Sequence, residues 1–112
     1  MVDSIINYRK ATLKDANQIS SVLMDFYNME NAEEASYAFT SEMEKDFNYI
    51  VAEEEGVIIG LVTWLHHGLP KHGLFELDRI CLLSESRGKG VGRGLVEELI
   101  IDADKWYKSM GE

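Results

Sequence analysis

Eight consecutive residues, Arg87-Gly88-Lys89-Gly90-Val91-Gly92-Arg93-Gly94, alternate glycine with larger residues, three of them cations. Set between a strand and a helix, such a run aims free backbone N–H groups at one point, and the helix N-terminus adds positive character there. Glycine lets a ligand reach the main chain, so the pattern describes a phosphate cradle. A tight turn with no ligand would leave the three cations at a helix start unexplained. Neither Gly-Lys step is followed by Ser or Thr, which excludes the P-loop pattern. The dinucleotide pattern G-x-G-x-x-G fails too, because the sixth position is Arg93 counted from Gly88 and Leu95 counted from Gly90. Upstream, Glu76 and Asp78 lie two apart in a strand-like run, so both are expected on one face, with Ile80 and Leu82 further along it. Either acid could take a proton; solvation, or pairing with Arg79 or Lys71, is the plainer alternative. His66, His67 and His72 share a Gly/Pro-containing stretch with no nearby Cys, a poor metal set that could instead line a substrate mouth. Cys81, between Ile80 and Leu82 and without an evident base, reads as a buried core thiol.

The elements that must position these residues follow from periodicity. Residues 5–8 predict a short strand. Thr12 and Asp15 have capping-box spacing, and Ala16, Ile19, Leu23, Phe26 and Tyr27 predict an amphipathic helix over about 12–28. A second helix is expected over 32–45 from Ala35, Tyr37, Ala38 and Met43. Runs 49–53 and 57–65 flank Glu54-Glu55-Gly56 and predict a hairpin; the second lacks alternation and should be covered on both faces. A loop over 66–73, a strand over 74–83 and a long helix from 91 to about 107 complete the order βααβββα. Trp64 and Trp106 fall at periodic apolar positions and should be core.

The chain has 112 residues, 46% hydrophobic and 28% charged, which predicts one folded domain. A single Cys excludes an intrachain disulfide and suits a reducing cytoplasm. No apolar run is long enough to span a bilayer, and the N-terminus does not read as a signal peptide, so no membrane association is expected. Of the acids, 12 fall in residues 1–55 with 4 bases, and the net charge of −9 argues against nucleic-acid binding. An acidic surface favours a cationic substrate such as an amine, although it also serves solubility.

The spacing R-x-x-G-x-G, as Arg87-x-x-Gly90-x-Gly92, resembles the pyrophosphate-binding motif of the GNAT family of acetyl-CoA-dependent N-acetyltransferases. The resemblance extends over the chain. Tyr8-Arg9-Lys10-Ala11-Thr12 followed by Asp15 is similar to the family's opening strand and helix start. Residues 49–60 look like its first hairpin, and residues 76–90 (ELDRICLLSESRGKG) resemble its core strand and loop, particularly in the polyamine-acetyltransferase-like branch.

This resemblance implies an α/β (α+β) fold with a mixed, mostly antiparallel sheet flanked by helices. It implies that Arg87, Gly88, Lys89, Gly90, Val91, Gly92 and Arg93 bind the acetyl-CoA pyrophosphate, and that Ile80 and Leu82 pair with pantetheine through main-chain groups. The implied reaction transfers acetyl to an amine, with a carboxylate or ordered water as base. Asp78, where many members carry an acid, is preferred slightly to Glu76. No metal is implied, and a strand N–H would meet the oxyanion. A typical member continues with a strand, a helix and a hairpin, which have no match here. Three explanations stand together: a truncated product, a short form completed by a second chain, and a degenerate CoA-binding or dimerisation module without turnover. In each, the strand over 74–83 should present an open edge, and a homodimer, a higher assembly or completion by another chain is expected through that edge and the last helix.

Overall fold

Among the described residues, two helices cover one face of a four-stranded antiparallel sheet and a third covers the other. The computed structural model describes residues 5–27, 31–45, 48–67 and 74–111. In chain order the elements are β1 (Ile6–Lys10), α1 (Ala16–Tyr27), α2 (Ala32–Glu44), β2 (Asn48–Glu54), β3 (Val57–His67), β4 (Leu74–Leu82) and α3 (Val91–Gly111). Short 3-10 turns, Leu13–Asp15 and Ser84–Ser86, precede α1 and follow β4. The sheet order is β1-β2-β3-β4, which realises the expected βααβββα order.

Alternation along the strands sorts the core into two layers. Tyr49, Val51, Leu61 and Cys81 meet Ile19, Leu23, Ala35 and Phe39 beneath α1 and α2. Ile50, Ala52, Val62 and Trp64 meet Val91, Leu95, Leu99 and Ala103 of α3 on the other side. As the missing alternation predicted, β3 is buried on both faces from Ile58 to Trp64. The hairpin before it turns through Glu55 and Gly56, both with positive φ (52° and 82°), the geometry that matches strand twist.

Three local expectations differ. In α2 the buried aromatic is Phe39, edge-to-face with Tyr49 at 5.0 Å, whereas Tyr37 is 75% exposed. His66 and His67 belong to β3 rather than a loop, because β3 and β4 pair as far as His67 and Leu74. The rest of the expected loop, including Lys71 and His72, lies outside the described residues. Trp106 is partly rather than fully buried: it stacks on His66 at 4.4 Å and closes the α3 side against Trp64.

The start of α1 is fixed by charge. Asp15 accepts from the Thr12 N–H at 2.8 Å and from both terminal nitrogens of Arg9 at 2.9 Å; Arg9 also reaches Glu53 at 3.1 Å. The Arg9 hydrogen bonds hold the Asp15 carboxyl below the usual carboxylate range and raise the Arg9 pKa in turn.

Candidate functional site

The glycine-rich run forms the passage from β4 into α3, and every loop residue singled out from sequence falls within it. Gly88 and Gly90 have φ of 79° and 82°, a conformation that costs an L-residue about 1–2 kcal/mol. The Gly94 N–H donates to the Gly90 carbonyl at 3.1 Å, which closes the first helical turn. The N–H groups of Val91, Gly92 and Arg93 therefore have no intrahelical acceptor and project from the helix start. Arg87, Lys89 and Arg93 are exposed around this point. Arg93 also meets Glu97 at 3.4 Å, and Arg87 donates to the Leu82 carbonyl at 3.3 Å. The stretch just before the loop is anchored from α1: one oxygen of Asp25 accepts from the Ser84 N–H and hydroxyl, both at 3.1 Å.

Ile80 and Leu82 contribute in two ways. Their side chains are half-buried on the α3 side, and a methyl placed on Gly92 would rest 3.6 Å from each. Their main-chain groups face the opposite way to those of Cys81 and Leu83. The Leu83 N–H donates to the Ile59 carbonyl at 2.9 Å, so strand alternation turns the polar groups of Ile80 and Leu82 away from β3. Among the described residues β4 is a sheet edge, so those groups lie along its open side.

The two candidate acids do not share a face with Ile80 and Leu82 as expected. Thr63 pairs with Arg79 and Trp64 with Leu77, which leaves Asp78 as an extra residue, a β-bulge. Phe75 packs on Trp64 on the α3 side, so Glu76 takes the other face, and Asp78 reaches that face too, where its Oδ2 accepts from the hydroxyl of Thr63 at 3.2 Å. Past the bulge the phase reverses, and Ile80 and Leu82 turn toward α3. Plain two-residue periodicity cannot register one extra residue, so the sequence carried no signal for this.

Asp78 does pair with Arg79, the plainer alternative named above, and through it joins a network with Glu42 and Tyr49 that sequence reasoning missed. Arg79 donates through Nε to Asp78 at 3.3 Å and through a terminal nitrogen to both oxygens of Glu42, at 2.9 and 2.7 Å. The Tyr49 hydroxyl donates to Glu42 at 3.1 Å; burial, with Glu42 adding to it, pushes the Tyr49 pKa up and keeps the hydroxyl a donor. Arg79 thus links α2, β4 and Asp78. Among the described residues no group of three or more His, Cys, Asp or Glu side chains is arranged to hold a metal. Cys81 is a buried free thiol, as expected. No described helix is long and apolar enough to cross a membrane.

The acetyltransferase (GNAT) family profile matches residues 16–111. The chain belongs to that family. No curated protein sequence matches it. Among solved structures it is similar to a GNAT family acetyltransferase from Brucella melitensis in complex with acetyl-CoA (TM-score 0.71, 22% identity, 90% of this chain and 70% of that one). It is also similar to the PaiA N-acetyltransferase of Thermoplasma acidophilum in complex with coenzyme A (TM-score 0.70, 18% identity, 95% and 75%). A ribosomal-protein-alanine N-acetyltransferase from Brucella melitensis matches at 26% identity (TM-score 0.68, 90% and 68%). The chain spans 66% of a matched GNAT-family structure from Desulfovibrio desulfuricans. These likenesses match the α/β architecture implied by the sequence.

Proposed function

We propose that this chain is an N-acetyltransferase that moves an acetyl group from acetyl-CoA to a primary amine. The observation that carries the reading is the meeting of two main-chain surfaces: the unpaired first turn of α3 and the outward-facing groups of Ile80 and Leu82. A diphosphate fits the first, where N–H donors, a helix N-terminus and the cations Arg87, Lys89 and Arg93 converge. An extended arm bearing amides suits the second, as an added strand. The complexes of acetyl-CoA and coenzyme A among its structural neighbours support the same ligand.

In the proposed reaction the amine nitrogen bonds the acetyl carbon, the C–S bond breaks and the thiolate departs. The amine's proton passes to a carboxylate, directly or through water. Asp78 is the preferred base, because Thr63 and Arg79 hold it in one orientation; Glu76 is the alternative. The acidic first half of the chain favours a cationic acceptor, whether a small amine, a polyamine or a protein amine. Free-thiol release on mixing with acetyl-CoA and a panel of amines tests the reading. A non-catalytic CoA-binding module, the second reading, would show thermal stabilisation by acetyl-CoA and no free CoA.

We further propose a cytoplasmic setting and a homodimer, or pairing with another chain, through the edge of β4. Phe75 and Leu77 on that strand are each 39% exposed, and an open edge with apolar side chains invites pairing. A monomer in light scattering at high concentration would refute the homodimer.

A further inference from the structure

Gly94 sits inside α3, where glycine costs about 1 kcal/mol relative to alanine. Its backbone has no positive φ to explain it. The explanation is a neighbour: the ring of Tyr8, rising from β1, ends against it. A Cβ at Gly94 would overlap the Tyr8 hydroxyl and Cζ and lie 3.0 Å from Cε1. The ring is fixed from below, since Tyr8 is paired with Ala52 of β2 and packs against the α3-side core. Two residues earlier, Gly92 faces Ile80 and Leu82 of β4, whose methyl groups lie 3.6 Å from where a Cβ would stand. The first turn of α3 is therefore seated at two points, on β4 at the cradle and on β1 at Tyr8, at opposite edges of the sheet.

We infer that Tyr8 is a positioning residue for the phosphate cradle: its ring, received by the glycine at 94, sets the height and tilt of the first turn of α3. The N–H groups of Val91, Gly92 and Arg93 are carried by that turn, so a change at Tyr8 or Gly94 redirects them without touching the ligand. The functional consequence rests on the acetyl-CoA reading; the seat itself is a property of the unliganded protein.

The test uses Gly94→Ala alone and combined with Tyr8→Leu or Tyr8→Phe. Leucine keeps apolar contact but removes the far end of the ring, whereas phenylalanine keeps Cζ in place. Binding of CoA is compared with binding of S-acetylpantetheine, which lacks the diphosphate. Gly94→Ala should weaken CoA binding about tenfold, as expected where overpacking displaces a ligand-holding turn. It should leave S-acetylpantetheine within about twofold of wild type. Tyr8→Leu in the Gly94→Ala background should restore CoA binding to within about threefold, and Tyr8→Phe should not. Wild-type CoA affinity in Gly94→Ala, equal weakening of both ligands, or no rescue by Tyr8→Leu would overturn the inference.

Amide hydrogen exchange on the unliganded proteins separates this from the acetyl-CoA reading. Gly94→Ala should speed exchange over residues 94–98 relative to β2 and β3, and Tyr8→Leu should reverse it. If wild type binds no CoA and the exchange pattern still appears, the ligand reading fails and the seat stands. If exchange is unchanged or not reversed, the seat fails.

Discussion

Alanine at Gly90 and alanine at Gly92 should move stability in opposite directions, although both glycines belong to the same R-x-x-G-x-G spacing. Gly90 has φ of 82°, and nothing lies within 4 Å of where an added methyl would stand, so the whole penalty is backbone strain. That strain is about 1–2 kcal/mol. Gly92 is helical, and its added methyl would meet Ile80 and Leu82 at 3.6 Å, an ordinary contact. Alanine there gains up to about 1 kcal/mol in helix propensity, somewhat less so near the helix end. Urea unfolding should therefore separate the two variants by about 1.5–3 kcal/mol with unchanged slopes. Acetyl-CoA binding, measured by calorimetry, should follow the backbone. Gly90→Ala relieves its strain by rotating the preceding peptide away from the cradle and loses about tenfold in affinity. Gly92→Ala directs its methyl at the sheet, not the ligand, and stays within about threefold. Equal stabilities, or a loss of binding by Gly92→Ala as large as that of Gly90→Ala, would refute this assignment of the two glycines.

Asp15→Asn should cost about 2 kcal/mol near neutral pH, because a charge-assisted pair with a side chain only 9% exposed is lost. Arg9 depresses the folded-state Asp15 pKa, so this stability is present above the unfolded carboxyl value of about 4 and disappears as pH falls through the lower folded value. A wild-type-to-variant gap that stays constant in urea unfolding down to about pH 2 would contradict that sign. Arg79→Met should destabilise by about 3 kcal/mol, since it strands Glu42 with its side chain only 15% exposed, and Glu42→Met in the same chain should recover most of the loss. In the thiol-release assay Asp78→Asn should lower kcat about a hundredfold or more while Glu76→Gln stays within about threefold; the reverse order would transfer the role of base to Glu76.

Much of the fold was legible because its signals are local and repeated. The apolar spacing of Ile19 and Leu23, the missing alternation along β3, and Gly56 in a two-residue turn each report an element that forms as written. The glycine-rich run was legible for a related reason: its function resides in main-chain groups, and the glycines that expose them are visible in sequence. What escaped is what depends on residues far apart. Arg79 meets Glu42 across 37 positions, and Tyr8 meets Gly94 across most of the chain. Neither pairing leaves a periodic trace. Tyr37 and Phe39 show the same limit within one helix, since an acidic segment with a weak apolar pattern does not say which aromatic turns inward.

The bulge at Asp78 explains how one strand can serve both faces of the sheet. Side chains alternate with a period of two, so one extra residue exchanges the faces of everything beyond it. Without it, Ile80 and Leu82 would join Glu76 on the α1–α2 face, and the first turn of α3 would rest on Arg79 and Cys81 instead. That arrangement would bury the Arg79 guanidinium beneath the cradle and remove it from Glu42. With the bulge, apolar side chains support the phosphate-binding turn, and the acids and Arg79 gather on the other side. Thr63 secures the arrangement, because it is fully buried and its hydroxyl finds an acceptor in Asp78. A buried hydroxyl without such a partner is costly, so the hydrogen bond favours the bulged register over a slipped one. The same contact that orients the candidate base therefore also keeps Ile80 and Leu82 under the helix.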